Sequence, residues 1–177
     1  MKRRCIYCKQ EKRSQSLIES IVLNVAHMRI EIIENDNEKR KFIEAIDGAF
    51  PRGLVSRDNY GEILSKICKH AVFIGADNEG QPAGYAALYA NNLETRVAYI
   101  SMIGVLGCMQ GRHIGSQLMK KCIQVAQNNG MQFIRLEVLN ANKKAIDFYH
   151  RSGFQFEDKC SDDSVYLIKS IDDSETV

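Results

Sequence analysis

The chain has 177 residues and a mass of 20.1 kDa, a length that suits one domain with a short extension. Hydrophobic residues make up 45% and charged residues 26%, with two prolines and no tryptophan, a balance that excludes a disordered, collagenous or coiled-coil chain. The net charge of +2 gives no reason to expect a strongly charged partner, and no run approaches the ~18 apolar residues that span a bilayer, so no membrane partner is expected.

The first thirteen residues carry Lys2, Arg3, Arg4, Lys9, Lys12 and Arg13 against Glu11, so any nucleic-acid affinity would have to sit there. It is not expected, because no aromatic array accompanies the charges beyond Tyr7. Glu19, Asn24 and His27 interrupt the apolar run from Leu17 to Met28 and no cleavage-site pattern follows, so the chain is read as non-exported and cytoplasmic. Its six cysteines are then read as free thiols. Cys5 and Cys8 form half of a zinc-ligand pattern with no second pair to complete it, and no metal is expected.

Leu17, Ile18, Ile21, Val22 and Val25 share one helical face, which predicts a short amphipathic helix over 15–27. Residues 1–27 thus read as an N-terminal extension, 28–171 as the main domain and 172–177 as an acidic tail. Arg29 to Ile33 alternates as a strand does. A helix capped by Asp36 should run to Gly48 with Phe42, Ile43 and Ile46 inward, and a second from about Asp58 to His70. The period then changes from 3.6 to 2. Strands are expected at 71–76 and 83–90 about a turn at Asp77-Asn78-Glu79-Gly80, then at 97–105. A glycine-bearing loop leads into a helix from about Arg112 to Asn128, with Ile114, Leu118, Met119, Cys122, Ile123 and Ala126 inward. A strand at 133–139, a helix at 142–151 and strands at 154–157 and 165–171 complete the order.

That order implies an α/β or α+β layer architecture: a mixed, mostly antiparallel sheet of six to seven strands flanked by helices. The strands on either side of the Arg112 helix should be parallel, with ligands at their carboxyl ends near Val105 and Leu139. The loop Leu106 to Ser116 opens that helix directly, and amides at a helix N-terminus form an anion site that glycines let phosphates approach. Glycines that merely make the turn are the plainer reading. Neither a dinucleotide fingerprint nor a Walker loop is present.

Gln110-Gly111-Arg112-His113-Ile114-Gly115-Ser116, then Arg135-Leu136-Glu137-Val138, then Asn142 to Tyr149 and Ser152-Gly153-Phe154, together resemble the GNAT N-acetyltransferase family over about Arg29 to Ile171. The resemblance implies an acyl-CoA N-acyltransferase fold and an enzyme that moves the acetyl group of acetyl-CoA to a primary amine. It implies that the loop amides from Gln110 to Ser116 hold the pyrophosphate of coenzyme A, and that Ile103, Gly104 and Val105 pair with its pantetheine arm. Asn142 would hydrogen-bond the cofactor's amides, although Asn is also a good helix N-cap. Tyr149 would protonate the departing thiolate, a role open to a phenol of ordinary pKa near ~10. His113 stands where the family has its first glycine, and is expected to point outward.

The general base is open. The strand glutamate common in the family is missing from Ala98 to Gly104, which leaves Glu137, Glu94, His70 or a water chain, and Glu137 could equally be the solvated side of a strand. Cys122 lies on an inward face, Cys68 and Cys160 have no evident activating partner, and Cys108 lies near the expected cofactor without a role in transfer. The acceptor is expected to be a small-molecule amine; an amino sugar is one candidate by resemblance. The alternatives are a protein-amine acetyltransferase and a coenzyme A-binding sensor without turnover. The family's dimers make the Leu17 to Val25 face a candidate homodimer interface, with packing on its own domain equally open.

Overall fold

The computed structural model describes residues 28–171. The Cys5/Cys8 arm, the helix expected over 15–27 and the acidic tail lie outside the described residues. In chain order come β1 (Met28–Ile32), α1 (Asp36–Ile46), α2 (Tyr60–His70), β2 (Val72–Asn78), β3 (Gln81–Tyr89) and β4 (Val97–Val105). They are followed by α3 (Ile114–Asn128), β5 (Phe133–Leu139), α4 (Lys143–Arg151), β6 (Gln155–Lys159) and β7 (Ser164–Ser170).

Local chemistry explains where these elements differ from expectation. Asn35, not Asp36, caps α1, its side chain accepting from the Glu38 amide at 3.1 Å, and α1 ends at Ile46 in a 3-10 turn over Asp47–Ala49. The β2–β3 turn tightens to Glu79 and Gly80, both at positive φ, the geometry that matches strand twist in a two-residue hairpin. Asp77 and Asn78 therefore stay in β2, where Asp77 accepts from the Gly80 amide at 2.8 Å and pairs with Arg29. The glycine-bearing loop delays α3 to Ile114, because Gly111 at φ 82 and His113 at φ 59 are left-handed and cannot belong to a right-handed helix.

The seven strands form one sheet in the order β1-β2-β3-β4-β5-β7-β6. β4 and β5 are parallel neighbours joined through α3, as expected of a crossover, and the other neighbouring pairs are antiparallel. One core lies under α3 and α4, where Leu118, Met119 and Cys122 meet Ile100, Ile134 and Leu136. A second lies under α1 and α2, where Phe42, Ile43 and Ile67 meet Phe73 and Tyr85, whose rings stack at 5.0 Å. Each large side chain so buried contributes about 1.5–3 kcal/mol, which anchors both layers to the strands that carry the site. No helix among the described residues is long and apolar enough to cross a membrane.

Candidate functional site

The parallel pairing of β4 with β5 runs only from Val97 opposite Phe133 to Ile100 opposite Leu136. Beyond that point β4 stays with β3 as far as Val105, and β5 stays with β7 as far as Leu139, so the two strands part and a wedge opens between them. The register shift that accompanies the parting leaves Ser101 as an extra residue opposite Ala87 and Leu88, with its hydroxyl donating to the Ala87 carbonyl at 3.2 Å. A bulge bends its strand and interrupts pairing, which is what Ser101 does to β4. The β5-facing backbone of Ser101 to Val105, including Ile103, Gly104 and Val105, is left as an internal strand edge to which an extended amide-bearing chain can add. Gly104 leaves room for the Phe50 ring, whose Cζ would lie 2.6 Å from an added Cβ.

The open edge leads into the loop before α3. Gln110 turns back so that its Nε2 donates to the Val105 carbonyl at 3.3 Å, which ties the loop to the end of the strand. Gly111 and His113 then reverse the backbone, and His113 caps α3 with no side-chain hydrogen bond. The amides of Ile114, Gly115 and Ser116 have no intrahelical acceptor and sit at the positive end of a 15-residue helix. Arg112, His113 and Ser116 are exposed around them and Ile114 is buried beneath. His113 is exposed, and its left-handed backbone explains why glycine would suit this position.

On the α3 side, Asn142 caps α4 by accepting from the Ala145 amide at 3.3 Å, which leaves its side-chain NH2 free of that role. Tyr149 is buried in the last turn of α4, its ring against Phe148 and Phe154. Burial, with Cys122 nearby, pushes its phenol up to about 12. Cys122 is held protonated by the same burial, its thiol raised to about 12.

The opposite face of β5 carries Phe133, Arg135 and Glu137, alternating with buried Ile134, Leu136 and Val138. Glu137 is the first residue of β5 past the last parallel pair, exposed at the mouth of the wedge, and the Ser164 hydroxyl donates to its Oε1 at 2.6 Å. Glu94, in the β3–β4 loop, and His70, at the end of α2, are both exposed and neither adjoins that mouth through β4 or β5. Tyr149 thus lies in the core under α3 and α4, and Glu137 on the opposite face of the sheet. Sequence reading gave no role to Ser164, Tyr99, Arg135 or Tyr166 on the Glu137 face, since they come from three strands whose register no local pattern reveals.

The sequence profile of the acetyltransferase (GNAT) family matches residues 35–154, more than half of the chain. A thialysine N-epsilon-acetyltransferase of Mus musculus is 35% identical over 103 residues, covering 55% of this chain and 61% of that protein. The chain spans less than two thirds of the length of such curated relatives. Among solved structures, a GNAT-family acetyltransferase of Staphylococcus aureus Mu50 superposes with a TM-score of 0.69 at 18% identity, covering 82% of this chain and 99% of that one. A Bacillus anthracis protein assigned as a streptothricin acetyltransferase, crystallised with acetyl coenzyme A, superposes with a TM-score of 0.52 at 26% identity, covering 57% and 62% of the two chains.

Proposed function

The chain belongs to the acetyltransferase (GNAT) family, and from that premise we propose that it transfers the acetyl group of acetyl-CoA directly to a primary amine of a small molecule. The observation that carries the reading is the continuity of the open β4 edge with the unsatisfied amides of Ile114, Gly115 and Ser116. An anion belongs on those amides and an amide-bearing arm along Ile103 to Val105, which is the order of groups in coenzyme A. The relatives' names point the same way: one acts on an ε-amine, and another was crystallised with acetyl coenzyme A.

Acetyl-CoA supplies the acetyl group as a thioester. An amine of pKa near ~10 must lose a proton before it attacks the thioester carbonyl, and the reading assigns that proton, directly or through water, to Glu137, whose carboxylate accepts from Ser164. As the C–N bond forms and the C–S bond breaks, the sulfur gains charge, and the reading assigns Tyr149 to meet it as the general acid. Its phenol, at about 12, holds its proton more tightly than an ordinary thiol near ~8.5, so its main contribution is a hydrogen bond to the departing thiolate. Asn142 offers its free NH2 to the arm of the cofactor.

The test is thermal shift with acetyl-CoA, coenzyme A, ATP and NAD in parallel, followed by thiol release with a panel of amines. At 100 times the dissociation constant a ligand adds about 2.7 kcal/mol, which moves a chain of this size by roughly 5–10 °C. Shifts with acetyl-CoA and coenzyme A alone, and thiol release that depends on an amine, are the expected results. Shifts without release from any amine would replace the enzyme with a coenzyme A sensor, and the absence of any shift would end the reading.

A further inference from the structure

The face of the sheet that carries Glu137 holds a cavity of 430 Å³, within the ~300–1,000 Å³ of small-molecule pockets. Its walls include Tyr89, Asn91, Thr95, Tyr99, Arg135 and Tyr166. Strand register brings these together: Tyr89 lies opposite Tyr99, Tyr99 opposite Arg135, and Glu137 opposite Tyr166. Cross-strand partners share a face, so one row of side chains runs from β3 to β7 and ends beside Glu137. Tyr89, Tyr99 and Tyr166 belong to neither of the two helix-covered cores, which among the described residues leaves their rings as the floor of a stretch of sheet that no helix covers.

Among the named walls Arg135 alone carries a formal charge, and that charge is already matched. Its Nε donates to Glu157 Oε2 at 2.6 Å, its Nη2 donates to Oε1 of the same carboxylate, and its guanidinium lies 5.3 Å from the Tyr166 ring centroid. A bidentate pair of this kind leaves little charge for a ligand carboxylate or phosphate. The cavity lining holds no carboxylate for a second ammonium either, and Glu137, opposite Tyr166 on β5, lies beyond that lining. What remains is ring faces, phenol hydroxyls, the amides of Asn91 and Asn92, a threonine hydroxyl and the Val97 side chain. Burial and the neighbouring Glu137 raise the Tyr99 phenol to about 12, so it remains a donor throughout the neutral range.

We infer that this cavity seats the body of the acceptor, and that the body is an uncharged, hydroxyl-bearing ring, as in an amino hexose, rather than an amino acid, a polyamine or a peptide. Rings stack on the Tyr89 and Tyr99 faces, since Arg135 already lies over Tyr166, and hydroxyls meet Asn91, Thr95, Tyr99 and the outer edge of Arg135. Tyr99 and Arg135 each lie two residues, roughly 6–7 Å, before Ser101 and Glu137 on their strands, so a ring seated there presents its amino group to the wedge. The inference rests on the proposed acetyl transfer for the role of the amine, but not for the existence of the subsite.

The experiment has two arms on the purified full chain. In the first, a 2-amino, a 3-amino and a 4-amino hexose, cadaverine, lysine and a lysine-containing peptide compete as acceptors in thiol release. At least one amino hexose should exceed the other classes about tenfold in kcat/KM. In the second, the same hexoses are titrated calorimetrically into protein held in coenzyme A. Tyr99→Phe, which keeps the ring, and Asn91→Ala, in an exposed loop, should each weaken hexose binding about 3- to 10-fold and raise KM with kcat within twofold. Hexose binding weakened by both variants but without thiol release would uphold the subsite and sink the transfer. Tenfold preference for cadaverine, lysine or peptide would overturn the subsite and uphold the transfer. Hexose binding unmoved by either variant, or no hexose binding, would overturn the subsite.

Discussion

The two halves of the proposed site are built from different materials. The coenzyme side is backbone: a strand edge freed by the Ser101 bulge, and amides at the start of α3 exposed by left-handed Gly111 and His113. The Glu137 side is side chains from β3, β4, β5 and β7, gathered by register. A backbone site tolerates many sequences that keep its conformation, whereas a side-chain site fails one atom at a time. Substitutions should therefore cost activity on the Glu137 side and act mainly on stability or affinity in the phosphate loop.

The sharpest break between the halves is Glu137→Gln, which keeps the shape and removes the proton acceptor. Turnover should fall about 100-fold or more, with coenzyme affinity within twofold and the loss narrowing as pH rises toward the amine's own pKa. A fall of less than threefold at pH 7 would return Glu137 to a solvated strand position. Tyr149→Phe removes one hydroxyl from the buried α4 face. Single-turnover acetyl transfer should slow about 10- to 100-fold, the worth of a hydrogen bond to a charged group, and full activity would take Tyr149 out of the chemistry.

Buried phenols and a thiol make a third test. Tyr149, Tyr99 and Cys122 all hold their protons more tightly folded than unfolded, so the stability they add is complete below about pH 9 and is lost as pH rises toward 12. Tyr149 alone should account for on the order of 2 kcal/mol by pH 12. Urea midpoints at pH 8, 9, 10 and 11 that stayed level would contradict its burial. The smallest effect is expected in the loop: His113→Gly relieves a left-handed residue worth ~1–2 kcal/mol and concedes ~0.5–1 kcal/mol of chain entropy. A net gain of up to about 1 kcal/mol should appear in unfolding, with coenzyme affinity kept or tightened. A tenfold loss of affinity would mean that the imidazole itself holds the phosphates.

The glycine-bearing loop proposed to hold phosphates was legible because its signals are contiguous. Gln110, Ile114 and Gly115 at fixed spacing announce a strand, a turn and a helix start, and Asn142 with Tyr149 gives the second half of the pattern on the next helix. The strand limits of β4 and β5 were also readable, since both are apolar runs bounded by turn residues. The start of α3 was not, because His113 in a left-handed conformation runs against its residue type and only the surrounding backbone imposes it. Nothing local marks Ser101 as a bulge, Ser164 as the partner of Glu137, or Arg135 as matched by Glu157, since each pairing joins residues 14 to 27 positions apart.

By itself the sequence determined the layer order, the parallel crossover through α3 and the place of a helix start behind a glycine-bearing turn, because periodicity, capping and glycine placement act over a few residues. The tertiary structure alone decided where β4 and β5 part, which face Glu137 occupies and what lines the cavity beside it. Those depend on strand register, in which a shift of one residue exchanges every inward side chain for an outward one, and register is set by the packing of the whole sheet.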